Sequence, residues 1–255
     1  MRYIDAHCHL GSRQFDDDRN EVIGRMLEKG VEKAILICCS SHDLEQGMIL
    51  RKQHPAFKLA MGIHPQDLEE DYGRERLERF EKSLIEDQAD MIGEIGLDYY
   101  WDDTHKEEQK YLFHRKLSFA CERDLPVIIH DREAHGDCLA ITRQYPKLRG
   151  VFHCYSGSVE MAGELLKHGW YLGFDGPVTY KNARKSLEVL DACPVERILL
   201  ETDSPYLAPV PNRGKRNDSR NIPYVAAKIA ELKGISVEEV CEVTTANAKR
   251  LFGIR

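Results

Sequence analysis

The segment "DAHCHL", residues 5–10, sets two histidines two positions apart behind the apolar start Tyr3-Ile4. Side chains alternate along a strand, so Asp5, His7 and His9 are expected on one face, with the two imidazoles about 7 Å apart. At that spacing both rings can lean onto one ion. The pair alone reads equally well as a strand end with two hydrogen-bonded histidines. What separates the readings is recurrence, because other apolar runs end the same way, in "GIHPQ", "GEIGLDYY", "IIHDRE", "FHCYSGS" and "ETDSP". Five of the 11 histidines, His7, His9, His64, His130 and His153, fall at such ends, joined by Glu94 and Asp203. Imidazole and carboxylate suit zinc, manganese and related ions, and a carboxylate can bridge two of them about 3.5–4 Å apart. Two such ions activate a bridging water and stabilise the charge on the attacked group.

These residues need a scaffold that brings several strand ends together. Eight apolar runs occur, Tyr3–His9, Ala34–Cys39, Lys58–His64, Met91–Leu97, Pro126–His130, Gly150–Cys154, Trp170–Phe174 and Arg197–Thr202, with amphipathic stretches between them. In "HKEEQKYLFHRKLSFACERD", Phe113, Leu117, Ala120 and Cys121 follow the stripe of a helix packed on a sheet. Near-continuous apolar strands alternating with helices indicate parallel βαβ units. A doubly wound sheet would also fit, but eight units in 255 residues match a single (β/α)8 TIM barrel spanning residues 1–255 better. In that fold active sites assemble at the C-terminal ends of the strands, where the histidines and acids lie. The loop "SPYLAPVPNRGKRNDSRNIP" after the eighth run has the composition of an ordered functional loop, and "SVEEVCEVTTANAKRLFGIR" reads as one or two closing helices with Ser236 as N-cap.

Composition narrows the partners. Hydrophobic residues at 42% and charged residues at 31% are ordinary for a globular enzyme, while 43 acids against 36 bases give a net charge of −7. Overall charge therefore does not hold a nucleic acid; a local basic patch must. The chain contains no apolar run of 18 residues and no apolar leader near its start, so a cytoplasmic protein without a membrane span is expected. Cysteines at 8, 38, 39, 121, 138, 154, 193 and 241 form no C-x-x-C pair and are read as packed free thiols. No surface stripe suggests a partner subunit, and a monomer is the default.

The segments "DAHCHL", "GEIGLDYYWD", "LPVIIHDREA", "FHCYSGS" and "LLETDSPYLAP" resemble the signature segments of the TatD family of metal-dependent hydrolases, in the amidohydrolase superfamily. The resemblance runs in order from Ile4 to "ANAKRLFGI". It implies a TIM-barrel hydrolase with two divalent ions (zinc, manganese or magnesium), most members with known activity being deoxyribonucleases. Carried over residue by residue, His7, His9 and Asp203 would hold the first ion and His130 and His153 the second. Glu94 would bridge them, where many relatives in the superfamily use a carbamylated lysine. Asp203 would also orient the attacking water and accept its proton. Tyr155 and Ser156 stand where many members have Phe and Thr, a change that leaves the ligands untouched and bears on substrate fit.

Around this set lie candidate substrate contacts. The resemblance puts His64 beside the ions rather than on them, where it either contacts substrate, the favoured reading, or is a packed histidine. Arg132 follows His130 closely and either faces a phosphate or stays solvated. Arg213, Lys215 and Arg216 form the densest basic cluster and match phosphate oxygens in chemistry. Tyr99, Tyr100 and Trp101 offer either a stacking face for bases or packing at the barrel top. Asp5 and Glu201, read as one step below the ligands, either orient ligand histidines or pair with buried cations. The histidines at 42, 54, 105, 114, 135 and 168 are expected in surface or packing roles. The leading expectation is a phosphodiesterase acting on single-stranded DNA or strand ends, as a 3′–5′ exonuclease. The alternative is a metal-dependent amide or ester hydrolase, of amidohydrolase or aminoacyl-tRNA deacylase type, using the same ligands. A non-catalytic binding module is disfavoured because all six ligands and the candidate base are present.

Overall fold

The computed structural model of the chain describes residues 1–67 and 89–254. Its strands form one parallel sheet in sequential order: β1 (Tyr3–Cys8), β2 (Val31–Cys38), β3 (Lys58–Met61), β4 (Met91–Asp98), β5 (Val127–Arg132), β6 (Gly150–Phe152), β7 (Tyr171–Phe174) and β8 (Ile198–Leu200). The α-helices among the described residues are α1 (Arg19–Glu28), α2 (Ser41–Gln53), α3 (Lys106–Arg123), α4 (His135–Thr142), α5 (Val159–Lys167), α6 (Arg184–Ala192), α7 (Ile222–Lys233) and α8 (Val237–Phe252). The helical segment expected between the third and fourth strands lies outside the described residues. The sheet curls into the expected TIM barrel. Its β1–β8 seam closes through the His9 amide donating to the Ser204 carbonyl at 2.7 Å and the Asp203 amide donating to the His7 carbonyl at 2.9 Å.

Two apolar layers follow from strand alternation. Ile4, Ala6, Ile35, Ile37, Ala60, Met91, Ile128, Val151 and Leu199 fill the barrel, capped from below by Ala248, Leu251 and Phe252 of α8. The alternate residues, among them Leu36, Leu59, Ile92, Val127, Ile129 and Leu172, pack outward against the helices. Ser236 caps α8 by accepting from the Glu239 amide at 3.0 Å. On α3 the buried stripe is Gln109, Phe113, Lys116, Leu117 and Ala120, which rotates Cys121 out to solvent, against expectation. All eight cysteines are free thiols: five are buried in the core, Cys39 and Cys154 are half-buried, and Cys121 is exposed.

The register shifts at three places among the described residues, once between Tyr3 and Ile4 at the start of β1, and at two others that carry chemistry. In β1 the pairing partners Asp5↔Ala34 and Cys8↔Leu36 bracket a register shift, so Ala6 and His7 of β1 together oppose the single Ile35 of β2. That extra residue puts both Asp5 and Cys8 on the outer side and turns His7 inward, so Asp5 does not share the face of His7 as expected. In β4 the partners Ile92↔Val127 and Ile95↔Ile129 bracket a second shift, which turns Glu94 into the barrel. Bulges of this kind re-aim single side chains and are frequent beside active sites.

Several strands stop short of their functional residues. β3 ends before His64, β6 before His153 and β8 before Asp203. Freed from the ladder, these residues can take the backbone angles the site requires; Asp203 sits in the left-handed region at φ +52°, which a short polar side chain tolerates best after glycine. Gly96 is demanded by packing: a β-carbon there would stand 2.0 Å from the His130 carbonyl oxygen, at φ +147°.

Asp5 has its own task at the seam. Its buried carboxylate accepts from the Thr202 hydroxyl and the Ser219 hydroxyl, each at 2.6 Å, and from the Thr202 amide at 3.0 Å. No Lys or Arg reaches it among the described residues. The group therefore ties β1 to the end of β8 and to the long loop that follows. Burial raises its carboxyl to about 6, against the hydrogen bonds from Ser219 and Thr202. With the His7 amide also donating to it at 3.3 Å, Asp5→Ala strands four donors in the interior, and should lower stability by about 2–4 kcal/mol, read as a lower urea midpoint with an unchanged slope.

Candidate metal centre

Inside the C-terminal mouth of the barrel, side chains from five strand ends meet around Glu94. Its two carboxylate oxygens divide the histidines between them. Oε2 faces His7 Nε2 at 3.3 Å and His9 Nε2 at 3.8 Å. Oε1 faces His130 Nδ1 and His153 Nε2, both at 2.6 Å, and His64 Nε2 at 3.4 Å. Asp203 closes the first side, with Oδ1 3.4 Å from His7 Nε2 and 3.2 Å from His9 Nε2. The rings of His7 and His153 stack at 4.0 Å between the two sides.

The donor chemistry of this cluster calls for cations. His7 Nε2 and His9 Nε2 approach to 3.2 Å, His130 Nδ1 and His153 Nε2 to 3.2 Å, and His64 Nε2 and His130 Nδ1 to 3.3 Å. Imidazole nitrogens facing one another so closely repel unless a proton or a metal ion lies between them. Three ligand triads, His7–His9–Glu94, His7–His153–Asp203 and His64–Glu94–His130, each gather their donor atoms within 4.8 Å. Imidazole with carboxylate is the donor set of zinc, manganese and related ions. The residues fit such ions.

Protonation states support the same use. Burial and the neighbouring His153 lower His7 to about 4, which leaves it neutral and available as a ligand at pH 7. Burial pushes the Glu94 carboxyl upward, but His153, His64 and His7 outweigh it and hold the group well below the usual carboxylate range. Asp203 is likewise kept ionised, its hydrogen bond from His9 and the nearby histidines overcoming burial. His130 goes the other way: burial is outweighed by Asp98 and Glu94, which raise it to about 9.

Asp98 is the residue that strand-end reading passed over. Fully buried, it accepts from His130 Nε2 at 3.0 Å and from Gln66 Nε2 at 3.0 Å through Oδ2. Its Oδ1 accepts from the Tyr100 and Trp101 amides, each at 3.0 Å. A carboxylate on the far nitrogen of a ligand histidine fixes its tautomer and aims the other nitrogen at the ion. The clue was available in "GEIGLD", where Glu94, Gly96 and Asp98 keep period two. Glu201 and Asp175 form a deeper acidic pair under His153. Glu201 Oε1 lies 4.0 Å from His153 Nδ1 and accepts from the Cys154 amide at 2.5 Å. A β-carbon on Gly173 would stand 2.3 Å from the Glu201 carboxylate, so the glycine makes the room for it. Burial and the repulsion of nearby acids, Asp175 for Glu201 and Asp203 for Asp175, push both carboxyls well above their usual range.

The outer candidates take different places. His64 joins the Glu94–His130 cluster directly. Arg132 is exposed, with its guanidinium 4.3 Å over the Tyr100 ring. Tyr99 is tied down, its hydroxyl donating to Asp137 at 2.7 Å and Lys106 lying 4.7 Å over its ring. In the long loop Arg216 is engaged by Asp18 and the Gln14 carbonyl, both at 2.5 Å, whereas Arg213 is exposed and stacks on Tyr180 at 4.2 Å. Tyr206, which the sequence left unassigned, sits edge-on to His9 at 5.9 Å and is half exposed.

A parallel barrel with imidazole and carboxylate side chains gathered at its C-terminal mouth is the architecture of a metal-dependent hydrolase of the TIM-barrel class. More narrowly, the chain belongs to the TatD family: the model of that family, described as TatD related DNase, matches residues 4–253. The chain is 40% identical over 253 residues to the "Uncharacterized metal-dependent hydrolase YabD" of Bacillus subtilis, covering 98% of this chain and 99% of that protein. It is 33% identical to the "3'-5' ssDNA/RNA exonuclease TatD" of Erwinia tasmaniensis, over 98% of this chain and 100% of that one. The crystal structure of the TatD homologue YjjV from Escherichia coli superposes with a TM-score of 0.92 at 29% identity, covering 100% of this chain and 99% of that one. No helix among the described residues is long and apolar enough to cross a membrane.

Asp98→Asn keeps the size of the side chain but removes the charge that holds His130, and should weaken manganese or zinc binding by about 10–100-fold in calorimetric titrations. In the wild type, affinity should rise with pH toward about 9, because the proton held on His130 must leave before a metal binds.

Proposed function

We propose that the chain is a phosphodiesterase with two divalent ions, acting as a 3′–5′ exonuclease on single-stranded DNA or strand ends. The observation that carries the two-ion reading is the division of Glu94: one oxygen faces His7 and His9, the other His130, His153 and His64. When bound, such ions polarise the attacked group and make a water molecule acidic. His7, His9 and Asp203 would hold one ion, His130 and His153 the other, with Glu94 between. Zinc, manganese and magnesium are the candidate ions.

The remaining steps belong to the chain's own groups. Asp203, ionised and at the mouth, orients the attacking water and takes its proton on a carboxylate oxygen. His64, at the edge of the Oε1 side, contacts the substrate. Arg132 and Arg213 are exposed cations able to meet phosphate oxygens in a protein whose net charge is −7. His7, Glu94 and His153 are each exposed by 7% or less, a depth that a flexible strand end reaches more readily than a duplex. The Erwinia relative named as a single-strand exonuclease supports the same substrate class.

The test uses single-stranded oligonucleotides labelled at either end, with protein stripped by chelator and reconstituted with manganese, magnesium or zinc in turn. Metal-dependent stepwise loss from the 3′ end is expected, and Glu94→Gln should fall to the level of the metal-free protein. Cleavage inside a circular single strand would overturn the exonuclease assignment. Loaded protein that cleaves no phosphodiester but hydrolyses an ester, amide or aminoacyl-tRNA would replace the phosphodiester reading with the amidohydrolase one.

A further inference from the structure

Among the described residues, the turn after β4 holds the most exposed aromatic surface of the barrel mouth. Trp101 is 65% exposed and Tyr100 56% exposed, their rings meeting edge to face at 5.0 Å. The Arg132 guanidinium lies 4.3 Å from the Tyr100 ring and 5.9 Å from the Trp101 ring. Large rings left in water at a functional rim gain nothing from burial, and they mark contact surfaces. Tyr99 shows the contrast, since its hydroxyl and ring are both committed.

This surface is held rigidly. Asp98 accepts from the Tyr100 and Trp101 amides through one oxygen while the other takes His130 Nε2. Gln109 of α3 accepts from the Asp98 amide at 2.8 Å and donates to the Asp98 and Asp102 carbonyls at 3.1 and 2.9 Å. The Tyr99 amide donates to the Arg132 carbonyl at 2.9 Å, which ties the turn to β5 two residues beyond His130. The platform is therefore fixed relative to the candidate ligand His130 through the Asp98 carboxylate and the backbone bond to Arg132.

We infer that Tyr100, Trp101 and Arg132 form a stacking site for one unpaired nucleobase of the strand whose phosphodiester lies at the metal centre. The inference rests on the phosphodiesterase reading above. A base stacks on an aromatic face whatever its identity, and a guanidinium lying on a ring reaches both the base plane and an adjacent phosphate. A single-stranded substrate supplies unstacked bases, and a duplex does not. The site thus selects unpaired over paired strands and tolerates all four bases.

The chain has two tryptophans, and the other, Trp170, is 4% exposed, so quenching of tryptophan fluorescence by oligonucleotide reports on Trp101. The probes are an eight-residue thymidylate with phosphorothioate links and an abasic strand of equal length, each titrated into the magnesium-loaded protein. Quenching by the thymidylate and little by the abasic strand is expected. Trp101→Ala should weaken thymidylate binding, read by anisotropy of a labelled strand, by about tenfold, the order of one stacked base. Trp101→Phe should restore most of it, and Arg132→Ala should weaken both probes. Trp101 is solvent-exposed, and an unchanged melting temperature verifies that the variants fold. Equal affinity for the two probes, or Trp101→Ala binding as the wild type while cleavage persists, would overturn the stacking site and leave the nuclease. Failure of both strands to bind or be cleaved would overturn the nuclease reading and the stacking site with it.

Discussion

Everything at the mouth of this barrel is organised by one buried carboxylate. Glu94 offers two oxygens, and four histidines with a fifth at the edge are apportioned between them. Without a compensating positive charge the arrangement would be costly, because nitrogens facing each other at 3.2–3.3 Å repel. The same closeness makes it a good host for metal ions, which turn that repulsion into coordination. A hydrolase site of this kind is preorganised by the scaffold and completed by its ions.

The scaffold delivers this through two deliberate faults. A regular β1 and β4 would carry on the parity of Ala6 and Met91 and turn His7, His9 and Glu94 away from the barrel interior. One extra residue in each strand corrects the parity locally while the hydrophobic alternation above and below stays intact. The outer face of the β1 fault is sealed by Asp5, which gathers Thr202 and Ser219 and so fastens the seam where the barrel closes. Ligand geometry and barrel closure thus share a few residues of β1.

The acids of the mouth separate by depth. Glu94 and Asp203, surrounded by imidazoles, stay ionised, whereas Glu201 and Asp175, buried beneath them with acids for neighbours, are pushed toward the protonated form. Charge is therefore concentrated at the residues that could hold ions and withheld from the layer below. Asp98 stands apart on the opposite side, satisfied by four donors, and couples the orientation of His130 to the turn that carries the exposed aromatics.

Much of this was written into residue types and their order. Eight apolar runs separated by helical stretches specify a parallel barrel, since only a closed ring of βαβ units buries both faces of such strands. Histidines and acids at the ends of those runs mark the candidate ligand set, because strand ends are where this fold assembles its sites. What alternation could not supply was the direction of individual side chains. A period of two is broken by a single inserted residue, and bulges leave no mark in composition; hence Asp5 was misread as a neighbour of the ligands and only the register of β1 with β2 moved it outward. The sharing of Glu94 between two groups of histidines, the hold of Asp98 on His130, and the commitment of Arg216 to Asp18 all join residues far apart in the chain. Such pairings depend on how the barrel closes, which the chain determines only as a whole.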